Sequence, residues 1–159
     1  MFEDNSATQN IVLEKTFSKE FTKPVQAVFE AWTNPKLISK WWGPHLFTTP
    51  ICELDAEPGG TIRIHMKGPD GTIYPMEGVI NEIDEPEKLS FTAKAFNENG
   101  DYFAESITTV TLANNEGKTK LTVTASVIDA TPEAEGPLSG MEEGWKQSLD
   151  KLSKFLEKG

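Results

Sequence analysis

The chain has 159 residues, 37% of them hydrophobic, which suits one compact domain with a single core. Fifteen Lys and Arg stand against twenty-five Asp and Glu, and the resulting net charge of -10 repels phosphate backbones and anionic lipid headgroups. Nucleic acid and membrane are therefore not expected as partners, and the acids, spread along the chain rather than gathered in a block, serve solubility.

Residues 1–10 are polar and acidic with no apolar stretch of the kind a leader peptide carries, and no segment approaches the roughly 20 apolar residues that span a bilayer. Cys52 is the single cysteine, so an internal disulfide is ruled out and a reducing, cytoplasmic setting is expected. Residues 1–9 read as a flexible tail and residues 10–159 as one domain, because no repeat, low-complexity tract or linker-like composition shift divides them.

Within residues 11–17, Ile11, Leu13, Lys15 and Phe17 alternate with Val12, Glu14 and Thr16, the two-residue period of a strand with one better-buried face. After Pro24 the period changes: Val25, Val28, Phe29 and Trp32 recur at helical spacing and predict a short helix. Asn34 offers a capping oxygen ahead of Pro35, and Leu37, Ile38, Trp41 and Trp42 form the stripe of a second short helix that Gly43 and Pro44 end. On one short helix Trp41 and Trp42 cannot both point inward. One is expected to anchor the helix to a sheet and the other to flank a cavity mouth near His45 and Phe47.

Between residues 48 and 127, turn chemistry at 58–60, 68–71, 84–86, 97–100 and 114–117 separates alternating runs, and connections this short join antiparallel neighbours. Ile62, Ile64 and Met66 share one strand face, as do Leu89, Phe91, Ala93 and Ala95, and again Leu121, Val123, Ala125 and Val127. Thr61, Arg63, Lys67, Lys120 and Thr122 fall on the opposite, wetted side. Ser139 and Glu142 form a capping-box pair, and after them Met141, Trp145, Leu149, Leu152 and either Phe155 or Leu156 recur at helical spacing. These elements predict an α+β layer architecture of the helix-grip type: a curved antiparallel β-sheet wrapped around a long C-terminal helix, with two short helices after the first strand. A cavity is expected at the open end of such a sheet.

Several of these residues stand in a familiar order: Pro24-Val25, then Val28-Phe29-Glu30-Ala31-Trp32-Thr33-Asn34-Pro35, then Trp41-Trp42-Gly43-Pro44. Asp55 with Pro58-Gly59-Gly60, Met66 with Gly68-Pro69-Asp70-Gly71, Gly78 with Glu82-Ile83, and Gly144-Trp145 continue it. From Ile11 to Leu156 the chain resembles the family named after the activator of heat-shock protein 90 ATPase, in the START-like and birch-pollen-allergen-like (SRPBCC) superfamily. The resemblance implies the helix-grip fold. It also implies a choice of functions, since superfamily members bind lipids, sterols, polyketides or hormones, some act as cyclases or hydrolases, and the eponymous member is a co-chaperone with an additional N-terminal domain.

Gly140, Gly144 and Ser148 recur every four residues beside the apolar stripe of the last helix, although each interior glycine costs about 1 kcal/mol of helix propensity relative to alanine. Such a strip either lets a strand backbone approach closely or leaves room for a ligand. Cys52, His45 and His65 are the only soft metal donors, too few for a zinc site, and no cofactor motif is present. No nucleophile elbow or histidine paired with a nucleophile stands out, so no catalytic residue is assigned. Glu77, Tyr102 and Glu105 lie in strand regions where one of them could face a cavity as an acid or base.

The leading expectation is a binding domain rather than an enzyme. It holds a small apolar ligand between the last helix and the inner sheet face, lined by Trp42, Ile64, Met66, Met76, Phe91, Met141, Trp145 and Leu149. One alternative is a co-chaperone-like interaction module meeting a chaperone or another protein through the loop around Trp42, Gly43 and Pro44. The other is a cyclase- or hydrolase-type enzyme, which needs an ionisable group inside the cavity.

Overall fold

A computed structural model describes residues 12–97, 99–134 and 139–158; the expected tail at residues 1–9 lies outside them. Strand β1 (Leu13–Phe21) carries the alternation read from its sequence, with the odd-numbered positions the less exposed, and runs on to a buried Phe21. Helix α1 (Val25–Thr33) buries Val28, Phe29, Ala31 and Trp32. Helix α2 (Pro35–Trp41) starts where Asn34 caps it, its side-chain oxygen accepting from the Lys36 amide at 3.0 Å.

Six strands follow: β2 (Thr48–Leu54), β3 (Thr61–Lys67), β4 (Ile73–Asp84), β5 (Lys88–Phe96), β6 (Tyr102–Asn115) and β7 (Lys118–Ala130). A short 3-10 turn, Pro132–Ala134, precedes helix α3 (Met141–Lys158). The seven strands form one sheet in the order β1-β7-β6-β5-β4-β3-β2, antiparallel throughout. The first two strands are therefore the two edges, and α1 and α2 carry the chain from one edge to the other. This is the helix-grip arrangement.

The main core joins Trp32, Trp41 and Ile38 of the short helices to Leu89, Phe91, Val110, Leu121 and Val123 of the sheet and to Leu149, Leu152 and Leu156 of α3. A second, smaller cluster holds Ala104, Val127 and Ala134, with Met141 packed on it. No helix among the described residues is long and apolar enough to cross a membrane.

Trp41 anchors the helix and Trp42 borders a cavity beside Phe47, as expected, but both rings pack on the core where only one was expected to point inward. Trp41 is fully buried and donates its indole N–H to the Ala31 carbonyl at 2.9 Å. Helix α2 ends at Trp41, and Trp42 takes an extended backbone, with φ -64° and ψ 136°. Helical offset no longer separates the two rings, and Trp42 turns back to pack on the same core.

Candidate ligand-binding cavity

The inner face of the sheet changes size along its strands. Leu89, Val110 and Val123 are cross-strand neighbours on β5, β6 and β7 and fill the core end. The next rows read Phe91, Thr108 and Ala125, then Ala93, Ser106 and Val127, then Ala95 and Ala104. Toward that end small side chains replace large ones, and the floor of the sheet drops away from whatever lies above it.

Helix α3 has the matching asymmetry. Its C-terminal half buries Leu149, Leu152 and Leu156, while its start presents Gly140, Gly144 and Ser148. A Cβ built on Gly144 would meet only the Pro44 ring, at 3.6 Å, so no strand backbone packs against Gly144. Two small-residue surfaces thus face each other across a cavity of about 440 Å3, within the roughly 300–1,000 Å3 of small-molecule sites.

Trp42 and Phe47 wall the cavity from the loop between α2 and β2, Met66, Tyr74 and Met76 from β3 and β4, and Phe96 and Phe103 from either side of the β5–β6 turn. The Trp145 indole stands edge-on to Trp42, with ring centroids 5.7 Å apart, and stacks on Trp32 at 6.2 Å. Phe47 and Tyr74 meet at 6.0 Å. Ser106, Thr108, Ser148 and Tyr74 bring hydroxyl groups, and among the described residues the wall holds no carboxylate, imidazole, amine, guanidinium or thiol.

The loop of residues 42–47 is fastened to α3. Lys151 Nζ lies 3.1 Å from the Gly43 carbonyl oxygen, 3.3 Å from that of Pro44, 3.4 Å from that of Phe47 and 3.5 Å from that of Trp42. Burial lowers the pKa of this amine below the ordinary lysine value. The His45 amide donates to Gln147 Oε1 at 3.0 Å, and its imidazole Nε2 stands 3.4 Å from Asp150. A hydrogen bond from Lys154, reinforced by His45, holds the Asp150 carboxyl below its usual range. Gly43 needs its positive φ of 96° here, and a side chain on it would press on Met66 Sδ at 3.0 Å.

Residues 22–157 match the family described as Activator of Hsp90 ATPase homolog 1-like protein. The chain belongs to this family. A solved protein from Mycobacterium smegmatis is 26% identical, with a TM-score of 0.76 and 94% of each chain covered. One from Arthrobacter aurescens is 25% identical, with a TM-score of 0.79, covering 98% of this chain and 91% of its own. An AHSA1 protein from Silicibacter pomeroyi, 24% identical with a TM-score of 0.76, covers 91% of this chain and 98% of its own and shares the fold. No curated protein matches the chain by sequence.

Membership in this family leaves the site to be argued from the residues. Trp42, Ile64, Met66, Met76, Met141 and Trp145 border the cavity, whereas Phe91 and Leu149 do not. Phe91 is 2% exposed and Leu149 4%, because both sit at the core end, where the sheet and helix pack without a gap. The aromatic wall at Tyr74, Phe96 and Phe103, the hydroxyls of β6 and the Lys151 clamp escaped the sequence reading. One signal was available: the inner positions of β6 run Ala104, Ser106, Thr108, Val110, Leu112, from small and polar to large and apolar.

The candidate acids lie elsewhere. Glu77 reaches Arg63 at 3.5 Å and His65 at 3.7 Å on the outer face of the sheet. Glu105 opposes Lys94 and Asp129 on the same outer face. Tyr102 donates to Asp129, and partial burial, that bond and the nearby carboxylates push its phenol up to about 12. Cys52 pairs across β2 and β3 with Ile64, while His65 pairs with Ile51, so thiol and imidazole point to opposite faces. No cluster of three or more metal-ligating side chains occurs among the described residues.

Proposed function

We propose that the protein holds a small, largely apolar molecule between α3 and the inner face of the sheet. The observation that supports this is the pair of facing small-residue surfaces, Gly140, Gly144 and Ser148 on the helix and Ala95, Ala104 and Ser106 on the sheet, which leave an uncharged aromatic-walled space. An interior glycine weakens a helix, and at Gly144 that cost leaves space rather than a close backbone contact. Met66, Met76 and Met141 give the wall adaptable side chains suited to an irregular apolar guest.

The interaction-module alternative drew on an exposed apolar patch around Trp42, Gly43 and Pro44. Those residues border the cavity, and Leu46, 81% exposed, is the large apolar side chain that the loop turns outward. One exposed leucine is ordinary for a protein surface.

Native mass spectrometry of protein purified without denaturation, followed by organic extraction, tests the proposal. A stoichiometric apolar molecule released on extraction supports it. A clean apo mass that persists after incubation with lipid and aromatic mixtures refutes it.

A further inference from the structure

Besides the Tyr74 phenol, three aliphatic hydroxyl groups interrupt the apolar wall. Ser106 and Thr108 stand two residues apart on the inner face of β6, and Ser148 belongs to the helix wall opposite. Thr108 is 4% exposed and Ser148 6%. None of the three has a hydrogen-bond partner among the described residues, although other threonines close such bonds: Thr119 donates to the Lys23 carbonyl at 2.7 Å and Thr33 to that of Phe29 at 3.0 Å. A hydroxyl that opens onto a cavity relies on water there, and an apolar ligand settling over it removes that water at a cost.

Resting on the cavity reading above, we infer that the ligand is a neutral molecule carrying a hydroxyl or carbonyl oxygen on an aromatic body, and that Thr108 and Ser148 hold that oxygen. The neutrality follows from the wall. An ionised carboxylate or amine would leave water for a space whose wall offers no counter-charge, and the ammonium of Lys151, on the helix that forms part of that wall, is already engaged by four backbone carbonyls. The oxygen function follows from the hydroxyls, since a site built to hydrogen-bond a ligand oxygen rejects an analogue that lacks it. The aromatic body follows from the rings of Trp42, Phe47, Tyr74, Phe103 and Trp145 around the space.

Three probes of one shape separate these terms: 2-naphthol, 2-methylnaphthalene and 2-naphthoate, titrated at neutral pH into isotope-labelled protein and followed by amide chemical shifts. The expected order is naphthol tighter than methylnaphthalene by about tenfold or more, with naphthoate weakest. In the Thr108→Val, Ser148→Ala double variant the naphthol preference should collapse to near parity while methylnaphthalene still binds, which also shows the variant cavity to be folded. Equal binding of naphthol and methylnaphthalene to the unaltered protein, tighter binding of naphthoate, or a preference that survives the double substitution would overturn the inference and leave the cavity reading standing. If none of the three probes binds, the inference of an aromatic-bodied ligand fails, and the extraction experiment decides the cavity reading by itself.

Discussion

Lys151 on α3 places its ammonium 3.1 Å from the carbonyl oxygen of Gly43, and three further carbonyls of the same loop stand within 3.5 Å. This loop contributes Trp42 and Phe47 to the cavity wall. Lys151→Met keeps the length of the side chain and removes every donor. It is expected to lower stability by about 1–3 kcal/mol, the range for losing hydrogen bonds at a partly buried site. Denaturant unfolding gives the loss, and faster amide exchange at Phe47 than in the parent protein would localise it to the loop.

Gly144 should tolerate what other glycines do not. Gly144→Ala adds helix propensity worth up to about 1 kcal/mol and meets only the Pro44 ring, so the melting temperature should hold or rise. Gly144→Leu sends a larger side chain into the cavity, and binding of any aromatic probe should fall by about tenfold or more while the fold persists. Calorimetric melting read beside a probe titration checks both; a Gly144→Leu protein that binds normally would count against the cavity as the binding site.

Gly78 and Gly60 mark the opposite case. A Cβ on Gly78 would lie 1.9 Å from the Thr92 carbonyl oxygen and one on Gly60 2.1 Å from that of Asp55, and both obstacles are backbone. Either Gly→Ala change is expected to cost more than about 3 kcal/mol or to prevent soluble expression. Near-parental unfolding midpoints would refute the close approach.

Burial, with a smaller contribution from Glu53, pushes the Cys52 thiol up from 9.0 to about 11. The native state therefore holds this proton more tightly than the unfolded chain. Its stabilising effect is complete below 9.0 and is lost as pH rises toward about 11. Unfolding curves for the parent and for Cys52→Ala should diverge in slope only in that alkaline window. Alkylation of native Cys52 near neutrality should also run about tenfold slower than in denatured protein, since the roughly hundredfold smaller thiolate fraction is partly offset by greater intrinsic nucleophilicity.

The local order of the chain was legible without coordinates. Two-residue alternation at Leu13, Lys15 and Phe17 predicted the first strand, Asn34 before Pro35 marked the start of α2, and the Met141, Trp145, Leu149, Leu152 stripe predicted the last helix. Each rests on a period or a capping group carried by neighbours in sequence, so the residues themselves suffice.

Which face residue meets empty space was decided by tertiary structure. Phe91 and Thr108 are direct cross-strand neighbours, yet the first belongs to the core and the second to the cavity wall. Leu149 and Trp145 share one helical stripe and part in the same way. Alternation says only that a side chain points inward. Whether it then finds a partner depends on the volumes facing it from elements a hundred or more residues away, as when Gly144 looks toward Pro44 and Lys151 reaches Gly43. The sequence by itself therefore determined the elements and their inward faces, because both follow from short-range geometry. Only the folded structure decided where those faces leave a gap, because a gap is a property of two surfaces brought together.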